Sequence, residues 1–141
     1  MRTIINPAPC KTEIKKYAKF IDVLTPNSGE LQTLLKYGKY QQKPAKLGIP
    51  TIIETKGKDG YCCYKNKEQF SEKAPKVKVI DTTGAGDTFT GALCYQLSLG
   101  KDINKKMLNF ACLAASISTT RKGSSSSSPT LEEITKHLDN K

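Results

Sequence analysis

The chain has 141 residues and a formal net charge of +10, set by 23 lysines and arginines against 13 acidic residues, which is room for one domain of ordinary size. No apolar run approaches a bilayer-spanning length, and the first residues lack the basic, apolar and small-residue order of a secretory leader, so a cytoplasmic protein without membrane contact is expected. Five cysteines, Cys10, Cys62, Cys63, Cys94 and Cys112, with a single adjacent pair, fit neither a disulfide framework nor a C-x-x-C metal or redox site; they read as buried or half-buried thiols of a reducing compartment.

In chain order, the predicted elements alternate between strand and helix. Residues 3–6 form a short apolar strand so soon after Met1 that the chain is expected to begin inside a sheet. Residues 13–20 read as a helix with Ile14, Tyr17 and Ala18 on one face, and residues 22–24 as a second strand stopped by Pro26. A helix over residues 28–35 turns Leu31, Leu34 and Leu35 inward. Residues 41–44 read as an irregular connection, and residues 50–54 as the next strand. Gly60 marks a turn into Tyr61-Cys62-Cys63-Tyr64, whose unbroken apolar character predicts a hairpin partner. Residues 77–80 lead into a glycine-rich turn, after which Phe89, Leu93 and Leu97 recur every four residues up to Gly100, the stripe of a helix burying one face. Another helix, over residues 104–119, packs Met107, Phe110, Ala111, Ala114 and Ile117. Residues 124–128 form a low-complexity serine loop, and Thr130 with Glu133 makes a capping box for a last helix. Strands separated by helices imply the α/β class, a mainly parallel sheet flanked by helices, in one domain over residues 1–141.

The positive charge is spread rather than concentrated. Lys11, Lys15, Lys16 and Lys19 share one predicted helix, Lys36, Lys39, Lys43 and Lys46 a connection, and Lys101, Lys105 and Lys106 another helix start, with no aromatics interleaved at a stacking distance. Such faces need no nucleic-acid partner, and none is expected. A polyanionic small molecule would still gain from the field. Lone His137, among Lys136, Asp139 and Asn140, reads as a surface residue.

The chemistry-bearing stretch is Asp81-Thr82-Thr83-Gly84-Ala85-Gly86-Asp87-Thr88-Phe89-Thr90-Gly91. Gly84, Ala85 and Gly86 let backbone approach an anion closely, and the N–H groups of the following helical turn point at the same spot. Asp87 is out of place beside a phosphate unless it has a task, such as accepting a proton from an attacking hydroxyl. For an isolated Gly-Asp pair, helix capping is the commoner role.

The longer run from Asp81 through Leu93 resembles the C-terminal signature of the PfkB carbohydrate kinases, the ribokinase-like family. Thr25-Pro26-Asn27-Ser28-Gly29-Glu30 resembles that family's Asn-x-x-Glu motif, and Thr55-Lys56-Gly57-Lys58-Asp59-Gly60 its nucleotide-side Thr-x-Gly loop. Asn6-Pro7-Ala8-Pro9 and Thr120-Arg121-Lys122-Gly123 are similar to the ribokinase branch. The likeness covers nearly the whole chain, while the chain corresponds to the C-terminal half of the family, the half without most of the sugar site and the small lid sheet.

The resemblance implies the C-terminal half of a Rossmann-like, three-layer fold and ATP-dependent phosphoryl transfer to a sugar hydroxyl, D-ribose to ribose 5-phosphate foremost. It gives Asp87 the role of catalytic base, with Gly84, Ala85 and Gly86 as backbone donors to the developing charge. Asn27 and Glu30 would organise Mg²⁺ through water, as suits that ion, and Thr55 and Gly57 would contact the nucleotide. Asp81, Thr83, Ser118, Gly123 and Ser127 would hold a monovalent cation, K⁺; the plainer role for Asp81 is a hydrogen-bonded turn with Thr82 or Thr83. Cys112 stands where many family members place Asn or His near the adenine. ATP and a small sugar are the implied partners, and a homodimer is among the assemblies allowed. The chain is also shorter than usual between Glu30 and Thr55, so a shrunken or missing helix is expected there.

A noncatalytic nucleotide-binding remnant, or a partner subunit of such a kinase, is the alternative in a different class. A dinucleotide-binding Rossmann site ranks below both, because no third glycine follows Gly84 and Gly86 at the G-x-G-x-x-G spacing. The sequence contains no P-loop.

Overall fold

The computed structural model describes residues 1–37 and 39–139; Gly38 and the end of the expected 1–141 domain, Asn140 and Lys141, lie outside the described residues. Two compact units, Met1–Glu72 and Lys73–Lys141, are described in turn.

The first unit runs β1 (Ile4–Ile5), a 3-10 segment (Thr12–Phe20), β2 (Val23–Leu24), α1 (Ser28–Leu35), β3 (Lys36–Tyr37), β4 (Tyr40–Gln41), a 3-10 turn (Pro44–Leu47), β5 (Thr51–Thr55), β6 (Tyr61–Lys65) and β7 (Glu68–Glu72). Its sheet is mixed, in the order β1-β2-β5-β6-β7. β1 pairs parallel with β2 through Ile4 and Val23, and β2 parallel with β5 through Val23 and Thr51. β6 is the hairpin partner of β5, Ile53 opposite Cys63, and β7 adds a second antiparallel pairing. That last turn is made by Asn66 (φ 51°) and Lys67 (φ 69°), two consecutive positive angles that match the twist of a tight hairpin. β3 and β4 form a separate two-stranded piece. Beyond α1 and that piece, the connection to β5 is only the 3-10 turn at Pro44–Leu47, in line with the short spacing in the sequence.

Leu31, Leu34 and Leu35 of α1 are buried, as their spacing requires, with Ile21, Leu24, Leu47, Ile49 and Ile52. Ile14 and Ala18 pack against this cluster, but Tyr17 does not: it is 59% exposed. The segment is wound as a 3-10 helix, and Phe20 is exposed too. The amino group of Lys19 lies 4.9 Å from the Phe20 ring centre. Ile4 and Ile5 are half-buried, at the edge of the described sheet.

The second unit holds α2 (Ala85–Ser98), α3 (Lys105–Ser118), a 3-10 turn (Ser125–Ser127) and α4 (Leu131–Asp139). α2 and α3 pack along one another, with the Tyr95 and Phe110 rings 6.1 Å apart. Phe89 and Leu93 are buried on α2, and Leu97 is half-buried. α3 starts on Asn104, whose side chain accepts from the Met107 N–H at 3.0 Å. It buries Met107, Phe110, Ala111, Ala114 and Ile117, all five as their helical spacing predicts. Ile134 of α4 closes a cluster with Phe110, Leu113, Ala114 and Ile117. The capping box is present: Glu133 N–H donates to Thr130 Oγ1 at 3.2 Å and Thr130 N–H to Glu133 Oε2 at 2.8 Å. Arg121 pairs with Glu133 Oε1 at 2.6 Å; the Thr130 N–H and that guanidinium hold the Glu133 carboxyl below its usual range.

The serine run is an ordered turn rather than a loose linker. Ser127 is fully buried and its hydroxyl donates to Ser124 O at 2.8 Å, and Thr88 on α2 hydrogen-bonds Ser128 at 3.1 Å. Cys62, Cys63 and Cys112 are buried and Cys10 half-buried, while Cys94 is exposed, contrary to expectation for a thiol. Burial pushes Cys63 up to about 12, which keeps it protonated and unreactive. Among the described residues no helix is long and apolar enough to cross a membrane.

Candidate active site

In the second unit the glycine turn is shaped by Asp81. Its Oδ1 accepts the Thr83 N–H at 2.9 Å and the Thr83 hydroxyl at 2.7 Å, and its Oδ2 accepts the Gly123 N–H at 3.0 Å. The Thr83 hydroxyl first, then the Thr83 and Gly123 N–H groups, draw its carboxyl down to about 2, since bonds to the ionised form favour it. Asp81 therefore makes the hydrogen-bonded turn with Thr83 and also ties two segments 42 residues apart. Gly84 follows at φ 76°, a left-handed conformation that favours glycine. A Cβ there would stand 3.1 Å from Ser124 Oγ and 3.2 Å from its Cα.

Gly84 is the N-cap of α2 and supplies no side-chain cap. The first intrahelical bond is Thr88 N–H to Gly84 O at 2.9 Å, so the first-turn N–H groups lack intrahelical acceptors. Of the three expected backbone donors, Ala85 already gives its N–H to Thr82 O at 3.2 Å. Asp87 is the third residue of α2, two positions past its start. It therefore does not occupy the N-cap position, and its carboxylate is exposed. Gly84, Asp87 and Thr88 line a cleft of about 470 Å³ with Tyr95, Phe110, Leu131 and Ile134.

The other residues of this unit are distributed around the same loops. Gly123, at φ 103°, meets Asp81 directly. Ser118 is buried and its hydroxyl donates to Ala115 O at 2.8 Å; Cys112 is buried on α3, where its carbonyl accepts from Ser116 at 2.8 Å. The structure thus joins Asp81, Thr83 and Gly123. Both Asp81 oxygens already accept, so a cation at that position has to share them. Among the described residues no three acidic, histidine or cysteine side chains converge as a metal cage.

In the first unit, Asn27 caps α1. Its Oδ1 accepts the Glu30 N–H at 2.9 Å and Glu30 Oε2 accepts the Asn27 N–H at 2.8 Å, a complete capping box. This commits one oxygen of Glu30 to backbone; Oε1 is the remaining anionic oxygen, suited to a water-mediated cation rather than a dry cage. Thr55 sits beside them, in an isolated parallel bridge with Asn27, its N–H donating to Pro26 O at 2.9 Å. Gly57 opens the 3-10 turn Gly57–Asp59 at φ 55°. Asn27, Glu30 and Thr55 are thus brought together. Sequence reasoning passed over Glu54, which is buried next to Thr55: Ser28 Oγ donates to its Oε1 at 2.7 Å and Tyr64 OH to its Oε2 at 3.2 Å. Burial above all, with Cys62 and Glu54 adding, raises the Tyr64 hydroxyl strongly. The available signal was an acid directly after Ile52 and Ile53 in a strand.

The model of the pfkB family carbohydrate kinases matches residues 1–131. Ribokinase of Staphylococcus aureus (strain COL) is 36% identical over 141 residues, covering 94% of this chain and 46% of that protein. The solved ribokinase of Thermotoga maritima superposes at a TM-score of 0.87 and 36% identity, over 99% of this chain and 49% of that one. Ribokinase of Arabidopsis thaliana, solved with ribose and ATP, gives a TM-score of 0.75 at 31% identity, over 98% of this chain and 45% of that one. The mixed sheet flanked by helices is the ribokinase arrangement, and the chain spans about half the length of the curated relatives it matches.

Proposed function

The chain belongs to the pfkB family of carbohydrate kinases, and from that membership we propose that it is the nucleotide-binding and catalytic half of an ATP-dependent sugar kinase. The favoured reaction is transfer of the γ-phosphoryl group of ATP to D-ribose, giving ribose 5-phosphate and ADP. The observation that carries the reading is the start of α2: a helix N-terminus without a side-chain cap, with an exposed carboxylate in its first turn.

In this reading the sugar hydroxyl attacks the γ-phosphorus while its proton passes to Asp87. The new O–P bond forms as the bond to the β-phosphate oxygen breaks, and ADP leaves with that electron pair. The first-turn N–H groups of α2, Gly86 foremost because the Ala85 N–H is engaged, face the negative charge on the transferred oxygens. Asn27 and Glu30 would hold Mg²⁺ through water; the ion, when bound, neutralises phosphate charge. Thr55 and Gly57 line the nucleotide side, and Cys112 leaves purine recognition to shape and backbone. Asp81, Thr83, Ser118, Gly123 and Ser127 are the proposed setting for K⁺.

The test is Asp87→Asn, assayed with both halves of the kinase fold present. Transfer should fall by roughly two to four orders of magnitude, the usual contribution of a general base, while ATP affinity holds. An unaltered rate of sugar phosphorylation removes Asp87 from the mechanism. The alternative, a nucleotide-binding partner subunit, gains from the half-length match to the relatives. Phosphorylation by this chain alone argues against it, and phosphorylation only on addition of a second polypeptide argues for it.

A further inference from the structure

Glu54 is a charged side chain in the middle of a sheet, 9% exposed, flanked on β5 by Ile52 and Ile53 at 1% and 0%. Burying a carboxylate costs free energy that hydrogen bonds only partly return, and a well-packed apolar side chain of similar volume would serve stability as well or better. Its presence at this position therefore calls for another explanation. Each of its oxygens is used: Oε1 accepts from Ser28 Oγ at 2.7 Å and Oε2 from Tyr64 OH at 3.2 Å. Ser28 is the first residue of α1, directly after the capping Asn27 and two before Glu30. Tyr64 lies on β6, and Thr55 directly follows Glu54 on β5.

These contacts join three elements at one point. The capping box fixes Asn27 and Glu30 to each other but not to the sheet. The Thr55 N–H and hydroxyl both donate to Pro26 O, at 2.9 and 3.4 Å, one tether between β5 and the residue before the cap, while the buried leucines hold the body of α1. The Ser28–Glu54 bond is a second tether, 2.7 Å long and charge-assisted, from the other side of Asn27. Two tethers on either side of one residue define its orientation. The Tyr64 bond in turn fixes the Glu54 rotamer, and a carboxylate beside the first turn of α1 is favoured by the helix dipole.

We infer that Glu54 is a positioning residue, which through Ser28 sets the orientation in which Asn27 and Glu30 meet nucleotide-bound Mg²⁺. This rests on the reading of Asn27 and Glu30 given above. It assigns Glu54 no contact with the nucleotide. Partners that orient metal-binding groups from behind have effects of roughly 10- to 100-fold on affinity when removed, and water-mediated binding belongs at the lower end.

The experiment is calorimetric titration of the chain with ATP and Mg²⁺, alongside thermal unfolding. Ser28→Ala removes one donor at a half-buried position and leaves the rest of the site. The triple change Ser28→Ala, Glu54→Leu, Tyr64→Phe removes the whole network, so that no polar group is left buried without a partner. Both should raise the Kd for Mg·ATP roughly tenfold, the triple variant with a Tm at or above that of the unchanged chain. Glu54→Gln can still accept from Ser28 and should bind nearly as the unchanged chain does. Unaltered affinity in Ser28→Ala, or in a folded triple variant, overturns the inference while leaving the site reading intact. Unaltered affinity in Asn27→Ala, or a chain that does not bind Mg·ATP, overturns the site reading and this inference with it.

Discussion

At the start of α1, Asn27 takes the Glu30 N–H and Glu30 returns the favour to the Asn27 backbone; at the start of α2, Gly84 has no side chain to offer. Helices α3 and α4 follow the first pattern, with Asn104 capping Met107 and Thr130 paired with Glu133. Orphan N–H donors at a helix start are a liability that side chains usually relieve. In α2 the position that could relieve it holds a glycine suited to the backbone, since the turn has φ 76° and a Cβ would press on Ser124 at 3.1–3.2 Å. A helix start without a side-chain cap gives up local stability, and such a start suits an anion.

The largest effect expected from disturbing this contrast is that of Gly84→Ala. A left-handed alanine together with the Ser124 contact should lower unfolding stability by about 1–3 kcal/mol, measured by urea denaturation. A cost within error would mean that the turn relaxes readily and that glycine is not required by its shape. Gly86→Ala separates stability from binding more sharply. A Cβ at Gly86 meets nothing within 4 Å, so alanine should stabilise the helix by roughly 0.5–1 kcal/mol. In the same variant Mg·ATP affinity should fall, because the methyl group would intrude on the proposed anion site. If stability and affinity rise together, the start of α2 is not an anion site.

The smallest effect is the pH response of the turn. The folded pKa of Asp81 is depressed, to about 2 from a model-compound value of 3.8, so its ionised bonds support the fold above that ordinary value. Their contribution declines as pH falls from about 3.8 toward 2. In Asp81→Asn, which cannot ionise, the acid sensitivity of unfolding in that window should shrink. Identical acid profiles for the two proteins would show that the bracket to Thr83 and Gly123 is already loose in solution.

Much of this was legible where local chemistry is self-sufficient. α1 has the residues expected of it, and the Thr130–Glu133 box forms as its spacing dictates, because a cap and a periodic stripe act over a few neighbouring residues. The hairpin of β5 with β6 was readable from apolar continuity, but β7 was not, since Glu68-Gln69-Phe70-Ser71-Glu72 is an edge strand with one apolar side chain. Tyr17 misled because spacing grouped it with Ile14 and Ala18, and only those two pack against the core. Burial of Ser127 depends on packing around α2 and the serine turn, which composition cannot register. Glu54 was missed for the same reason: its partners, Ser28 and Tyr64, are 26 and 10 residues away. In the candidate site, the motif located Asp87 and Asp81, while the engagement of the Ala85 N–H and the N-cap position of Gly84 depend on the path of the folded turn.

The two margins of the described sheet differ in a way that bears on assembly. β7 carries Glu68 and Glu72 at its ends, and charges along a sheet margin discourage another chain from pairing with it. β1 consists of Ile4 and Ile5, half-buried and uncharged, so the opposite margin lacks such protection. A further strand is discouraged by charge along β7 and meets no charge along Ile4 and Ile5.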